Sequence, residues 1–355
     1  DITQKTITLT GFDAANKVYD GNTVAQIVSS GSLTGVVQND TVMVSNSGAT
    51  FDTKNAGTGK TVTLNGVALS GTDAGNYSIA NTATDTADIA QKQLTVTGFA
   101  AGNKTYDGNT TATISNAGTL NGVVLSDAGK VALNNTGATF DTKDAGTAKT
   151  VTLNGKTLTG DEAKNYVLAT TPVTAQANID RRALSIAGSV VANKTYDGTT
   201  SSSAAVLITG AQTGDTISAN QVFASKHALG ANNSVLKVGS FTIEDGNNGN
   251  NYVVSQNTAS GTIQKANLTV TATQLEKTYD GTTTATGSGT VGTLAGQAAG
   301  ESVNAAGSQA FLSKNAGQAN KYVRASGVTI WLVVSHSHRP SCTAATVRRN
   351  RSSLR

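Results

Sequence analysis

Lys17-Val-Tyr-Asp-Gly-Asn-Thr23 returns as Lys104-Thr-Tyr-Asp-Gly-Asn-Thr110, as Lys194-Thr-Tyr-Asp-Gly-Thr-Thr200 and as Lys277-Thr-Tyr-Asp-Gly-Thr-Thr283. Its tyrosines, Tyr19, Tyr106, Tyr196 and Tyr279, are 87, 90 and 83 residues apart. Other blocks keep step. Phe51-Asp-Thr-Lys-Asn-Ala-Gly matches Phe140-Asp-Thr-Lys-Asp-Ala-Gly, with looser copies from Phe223 and Phe311. Asp73-Ala-Gly-Asn-Tyr77 has partners at Asn165-Tyr166 and Asn251-Tyr252. Asp1-Ile-Thr-Gln-Lys5, Asp88-Ile-Ala-Gln-Lys92, Asn178-Ile-Asp-Arg-Arg182 and Thr262-Ile-Gln-Lys265 mark the junctions. Blocks in the same order, four times over, define an internal repeat. A period near 88 residues is too long for a solenoid turn and long enough for a small independent domain. The units read as 1–87, 88–177, 178–261 and a partial 262–330.

Each unit reads as all-β. In the second, Leu94–Thr97, Thr110–Ile114, Val131–Leu133, Thr150–Leu153 and Tyr166–Leu168 alternate with period two. Asn121-Gly122, Asn154-Gly155 and the recurring Asp-Gly are turn signals, because Asn and Gly tolerate positive φ. No ten-residue helical pattern interrupts them. The expectation is a tandem array of about four small immunoglobulin-like β-sandwiches, about seven strands in each, the last incomplete. A β-grasp unit is the alternative, and it needs a helix.

Composition narrows the function classes. Among 355 residues are 38 Gly, 2 Pro, 1 Cys, 3 His and 14% charged residues, which leaves little titratable chemistry for an enzyme. Cys342 stands alone, so neither a disulfide framework nor a Cys-rich metal site can form. No run of eighteen apolar residues is present, so no membrane insertion is expected. The net charge of +4 suggests nucleic acid at first sight. Its source is local. Without Arg339, Arg348, Arg349, Arg351 and Arg355, the chain has 21 basic residues (26 less 5) against 22 acidic. A phosphate-binding surface would be spread over the repeats, so no nucleic-acid partner is expected. The basic segment 331–355 also holds the only Trp, the only Cys and two of the three His. It reads as foreign to the repeats, from a shifted reading frame or vector sequence, with a genuine specialised end as the alternative.

The Lys-x-Tyr-Asp-Gly-x-Thr block, followed by Lys-Asn-Ala-Gly and Asp-Ala-Gly-Asn-Tyr, resembles the YDG-domain repeats of filamentous-haemagglutinin-like adhesins and other large bacterial surface proteins. The resemblance covers about residues 1–327. It implies a secreted protein at the bacterial cell surface, delivered across the outer membrane by a two-partner secretion transporter. It implies stalk repeats without catalytic residues or cofactor.

The motif residues Lys17, Tyr19, Asp20, Gly21, Lys104, Tyr106, Asp107, Gly108, Lys194, Tyr196, Asp197, Gly198, Lys277, Tyr279, Asp280 and Gly281 are therefore read as folding determinants. Asp-Gly makes the turn, the ring fills the core and its hydroxyl finds a polar partner. Sharper readings exist for a few side chains. Lys17 with Asp20 and Asn76, or Lys104 with Asp107 and Asn165, supplies the residue types of an intramolecular isopeptide bond. Asp245-Gly-Asn-Asn-Gly-Asn-Asn-Tyr252 faintly resembles a calcium loop, but Gln256 stands where a bidentate Glu is wanted. His336, His338 and Cys342 lack a fourth zinc ligand.

The expected function is a spacer: a monomeric rod of repeats that holds an adhesive region away from the cell. Strands of seven or so residues are about 23 Å long, so four beads end to end would reach on the order of 100–150 Å. The alternative is a multivalent module in which each repeat weakly binds a glycan or host surface receptor.

Overall fold

The computed structural model describes residues 1–79, 82–189, 191–270, 276–284, 294–295, 298, 301–311, 313–315 and 323–333. They form strands and short 3-10 turns, with no α-helix among them. The protein is an all-β tandem array. It divides into two compact units, Asp1–Arg181 and Arg182–Arg355.

The first repeat contributes ten strands: β1 (Lys5–Ala14), β2 (Lys17–Val18), β3 (Val24–Ala25), β4 (Ile27–Thr34), β5 (Met43–Ser45), β6 (Gly48–Phe51), β7 (Gly57–Asn65), β8 (Ala68–Ser70), β9 (Tyr77–Ile79) and β10 (Thr84–Ala90). Three sheets result, in the orders β4-β1-β9, β2-β10-β7-β6-β3 and β5-β8. Pairing is mixed: β1 runs parallel to β9 and β2 parallel to β10, while the other pairs are antiparallel. Seven strands were expected; the extra ones are two- and three-residue pieces beside turns, too short to show an alternation. β10 runs to Ala90, three residues beyond the boundary read from the junction motif. The helix that a β-grasp needs is replaced by a 3-10 turn at Ala74–Asn76.

Alternation decides which face is inside. Ile7, Leu9, Phe12 and Ala14 of β1 are buried, and Thr6, Thr8 and Thr10 face out. The phase slips between Leu9 and Phe12 at Gly11, whose φ is 75°. Across the pair lies Gly31, where a Cβ would sit 2.7 Å from the Thr10 carbonyl oxygen; a side chain there would push the strands apart. From the five-stranded sheet, Phe51, Val62, Leu64 and Ile89 meet Leu9 and Phe12 in one core. Outside, threonines bond across strands, as Thr8 does with Thr34 at 3.1 Å. This polar, nearly uncharged face keeps the sheet wet.

The second repeat copies the first: β11 (Lys92–Ala101), β12 (Lys104–Thr105), β13 (Thr111–Ala112), β14 (Ile114–Asn121), β15 (Ala132–Asn134), β16 (Gly137–Phe140), β17 (Gly146–Asn154), β18 (Thr157–Thr159), β19 (Tyr166–Leu168) and β20 (Thr174–Asp180). Sheet orders correspond strand for strand. Leu94 and Tyr166 of this repeat join the core cluster of the first.

In the other unit, the third repeat has β21 (Arg182–Ala187), β22 (Asn193–Thr195), β23 (Leu207–Thr209), β24 (Thr216–Phe223), β25 (Ser234–Glu244), β26 (Tyr252–Asn257) and β27 (Ala259–Gln264). They build β23-β21-β26 and β22-β27-β25-β24. The fourth shows β28 (Thr269–Val270) paired with β29 (Leu294–Ala295), and β30 (Ser302–Phe311) paired with β31 (Val323–Val333). Counterparts of β26 and β27 do not occur among its described residues. β31 carries the backbone of Trp331 into a strand opposite Asn304. His336, His338, Cys342 and the five tail arginines lie outside the described residues.

Candidate functional site: a tyrosine, lysine and acid node between repeats

The recurring lysine closes the motif on itself. Lys17 Nζ donates to Asp20 Oδ1 (2.8 Å), Asn22 O (2.9 Å), Asn22 Oδ1 (3.1 Å) and Val24 O (2.9 Å). It stands 5.5 Å from the centre of the Phe51 ring. Lys104, Lys194 and Lys277 make the matching bonds to Asp107, Asp197 and Asp280, over Phe140, Phe223 and Phe311. The motif's last threonine accepts the amide of that same phenylalanine, as in Phe51 N–H to Thr23 O at 2.8 Å. The Lys-x-Tyr-Asp-Gly and Phe-Asp blocks are thus two halves of one clamp. Burial opposes the charge on Asp20 and Asp107, but bonds from Lys17 and Lys104 prevail and hold both carboxyls below the usual range. Asp197 is drawn down to about 2 by its bond from Lys194, as is Asp280 by Lys277.

The isopeptide constellation is not assembled. Lys17 spends its protons on Asp20, Asn22 and Val24, and Asn76 is not among its partners. Asn165 faces the first repeat instead of Lys104: its Oδ1 accepts the Ala56 amide at 2.9 Å. The calcium-like loop closes on itself too. Asp245, 1% exposed, accepts backbone N–H groups from Asn247, Gly249 and Asn251. Among the described residues, no three His, Cys, Asp or Glu side chains converge as a metal site.

The tyrosines reach furthest. Tyr19 is 1% exposed, and its hydroxyl donates to Asp127 Oδ2 of the second repeat at 2.7 Å. Tyr166 donates to the same oxygen at 2.7 Å, and the two rings meet edge to face at 5.3 Å. Lys54, from the Phe-Asp-Thr-Lys block, donates to Asp127 Oδ1 (3.3 Å) and Glu162 Oε1 (2.9 Å), and lies over the Tyr19 ring. Asn165 Nδ2 adds bonds to Glu162 (2.6 Å) and Asn55 (3.3 Å). Gly21, at φ 83°, brings the turn against Val124 and Ser126; a Cβ there would stand 2.8 Å from Ser126 Oγ. The first repeat therefore offers Tyr19, Gly21 and Lys54. The second offers Asp127, Glu162, Asn165 and Tyr166.

Asp127 is 0% exposed. Burial pushes its carboxyl up, but bonds from Tyr166, Tyr19 and Lys54 outweigh that, and the group sits below the ordinary range. Burial and the bond to Asp127 push Tyr166 up to about 12 and raise Tyr19 in the same sense. The bond to Glu162 chiefly holds Lys54 protonated. The node is a hydrogen-bonded cluster of two phenols, an amide, a lysine and two carboxyls.

A family model described as the YDG domain matches residues 3–86, 90–174, 180–259 and 264–333. The chain belongs to the YDG-domain family. A search among curated proteins found no match. The node recurs between the third and fourth YDG repeats. Tyr196 donates to Glu301 at 2.5 Å and Lys226 donates to it at 2.6 Å. Burial opposes ionisation of Glu301, and bonds from Lys226 and Tyr196 overcome it.

The acid is the residue that sequence reasoning missed. Asp40, Asp127, Asp215 and Glu301 are 87, 88 and 86 residues apart, in step with the tyrosines. In the first three repeats the acid accepts from its own Asn-Tyr tyrosine: Tyr77 to Asp40, Tyr166 to Asp127 and Tyr252 to Asp215. Its neighbours differ from repeat to repeat, so no motif surrounds it. Only the spacing betrays it.

Proposed function

We propose that the chain is a structural stalk of a secreted bacterial surface adhesin, in which coupled YDG repeats hold an adhesive region away from the cell. The observation that carries this reading is the node of Tyr19, Lys54 and Asp127. It joins consecutive repeats by buried charge-assisted bonds and a shared apolar cluster. A spacer must resist bending at its junctions, and this junction has no slack: β10 ends at Ala90 and β11 starts at Lys92. The residues that recur are spent on the clamp and the node, and the proposed role is non-enzymatic. The resemblance to filamentous-haemagglutinin-like proteins supplies the cell-surface location and the two-partner secretion transporter in this proposal.

A second reading, weak multivalent glycan or host-receptor binding, draws on an open cleft of about 270 Å³ in the second repeat, lined by Thr95, Lys156, Thr171 and Pro172 among others. The aromatics do not favour it. Tyr19, Tyr77, Tyr106, Tyr166, Tyr252, Phe51, Phe140 and Phe223 are buried, which leaves no stacking platform in those positions. The test is binding of the folded chain to a broad glycan panel and to host extracellular proteins. The stalk reading expects no saturable binding. Saturable binding abolished by Lys156→Ala would replace it with the module reading.

A further inference from the structure

Asn121-Gly122 closes β14 and opens the segment that builds the node. From Gly122 the chain passes through Val124, whose amide bonds the Tyr166 hydroxyl (3.1 Å) and whose side chain lies against Gly21. It then reaches Asp127. Asn followed by Gly is open to cyclisation, because glycine has no Cβ to keep its amide nitrogen away from the asparagine side-chain carbonyl. The chain has four such pairs, at Asn65, Asn121, Asn154 and Asn248. They are not equivalent.

Three of them are held. Asn65 Nδ2 donates to Thr50 Oγ1 (3.0 Å) and Asn154 Nδ2 to Thr139 Oγ1 (3.1 Å), and both asparagines are half-buried. Their glycines are crowded: a Cβ on Gly66 would stand 2.4 Å from Ser47 Oγ, and one on Gly155 2.3 Å from Thr136 Oγ1. Asn248 is exposed, but the Gly249 N–H is spent on Asp245 Oδ1 at 2.9 Å. Asn121 has none of these restraints. Both it and Gly122 are exposed. Among the described residues, neither the Asn121 side chain nor the Gly122 N–H has a hydrogen-bond partner. A Cβ on Gly122 would meet nothing closer than 3.4 Å, an ordinary contact. The matching residue is Thr34 in the first repeat, whose hydroxyl bonds Thr8 Oγ1, and Thr209 in the third. The fold does not need an asparagine at this place.

We propose that Asn121 is a site of intramolecular deamidation whose product loosens the junction between the first two repeats. The Gly122 amide nitrogen gives its proton to solvent and attacks Asn121 Cγ. The new N–Cγ bond forms, the Cγ–Nδ2 bond breaks, and the leaving nitrogen takes up a proton and departs as ammonia. Water then opens the cyclic imide. Opening at the side-chain carbonyl gives aspartate. Opening at the main-chain carbonyl gives isoaspartate, which routes the main chain through Cβ and Cγ and leaves a free carboxylate. The main chain is then one carbon longer just before Gly122. That shifts Val124 and Asp127 against Tyr166 and Tyr19, whose hydroxyls depend on their alignment. The joint slackens with age, and water is the only co-reactant.

Ageing the full chain in mildly alkaline buffer tests this, with a peptide of residues 118–124 aged beside it as the clock. Isoelectric focusing should show the gain of one negative charge. Peptide mapping should place it at residue 121, ahead of Asn65, Asn154 and Asn248. Hydrogen exchange of the aged chain should show lost protection at the Val124 amide and, across the junction, at the Ala56 amide, which bonds Asn165. Asn121→Thr restores the residue of the first and third repeats and should keep both amides protected through the same ageing. Asn121 intact after the peptide has converted overturns the proposal, as does conversion at Asn65, Asn154 or Asn248 ahead of it. A converted wild type whose Ala56 amide stays protected overturns it too. So does an Asn121→Thr chain that loses protection as fast as the wild type.

Discussion

The first and second repeats share the same strand order, the same clamp and nearly the same words, yet their acids live differently. Asp127 is fully buried, with two tyrosines and a lysine. Asp40 is partly exposed, with one tyrosine. The difference is made by Tyr19 and Lys54 of the first repeat, which bond Asp127. Part of the Tyr-Asp-Gly motif therefore folds its own domain, and part completes the next one. The lysine clamp belongs to the first class, since it recurs in all four copies, including the one whose tyrosine is exposed. Tyr19, Gly21 and Lys54 belong to the second.

Substitution at the two acids should separate these classes most sharply. Asp127→Ala leaves two buried phenols without their acceptor and takes from Lys54 the longer of its two bonds to carboxylates, at a cost of about 3 kcal/mol. Asp40→Ala should cost less, about 1 kcal/mol, because Asp40 is itself partly exposed and its loss removes one tyrosine bond rather than two and a lysine. Denaturant unfolding of the full chain, followed repeat by repeat through hydrogen exchange, measures both. Equal costs would erase the distinction.

Next comes Tyr19→Phe. It keeps the ring but removes one bond to a charged acceptor, about 1–2 kcal/mol, and should loosen the first junction. The same change at Tyr279 should alter stability by no more than about 0.5 kcal/mol, because that hydroxyl is exposed. Gly21→Ala combines φ 83° with contact on Ser126 and should cost about 1–2 kcal/mol. Gly281→Ala, at φ 73° with open space around it, should cost less, since only the backbone term remains.

Titration should show a smaller asymmetry. The Asp127 carboxyl is depressed in the folded state, so its stabilisation is present above the ordinary carboxylate value. It is lost as pH falls through the folded value. Asp127→Asn should flatten the acid limb of stability of the first two repeats. Tyr166 is raised from 10.0 to about 12, so its contribution is full below 10 and fades as pH climbs toward 12. Phenolate absorbance should show late-titrating tyrosines that return toward normal in Asp127→Ala.

Much of this was legible in the residues. Asp-Gly turns, period-two stretches and four ordered blocks dictate an all-β array, and the buried tyrosine follows from an amphipathic ring beside a turn. The short strands β2, β3, β5 and β8 were not legible, because two or three residues carry no period. The clamp was half legible: lysine and phenylalanine recur together, but about 34 residues separate Lys17 from Phe51, and only pairing brings them into contact. The isopeptide set looked plausible because its residue types are right; the fold sends Asn165 to another repeat. The acid escaped notice because a single Asp amid changing neighbours looks like any loop residue.

The central claim is that the node makes the first two repeats one cooperative body. Hydrogen exchange on the full chain carrying Asp127→Ala tests it most directly. The account predicts lost protection on both sides of the junction: around Asp127 and Tyr166, and also in the first repeat at Tyr19 and Ala56, whose amides bond Ala90 and Asn165. Loss confined to the second repeat, with the first unchanged, would contradict it and reduce the contact to two neighbours that merely touch.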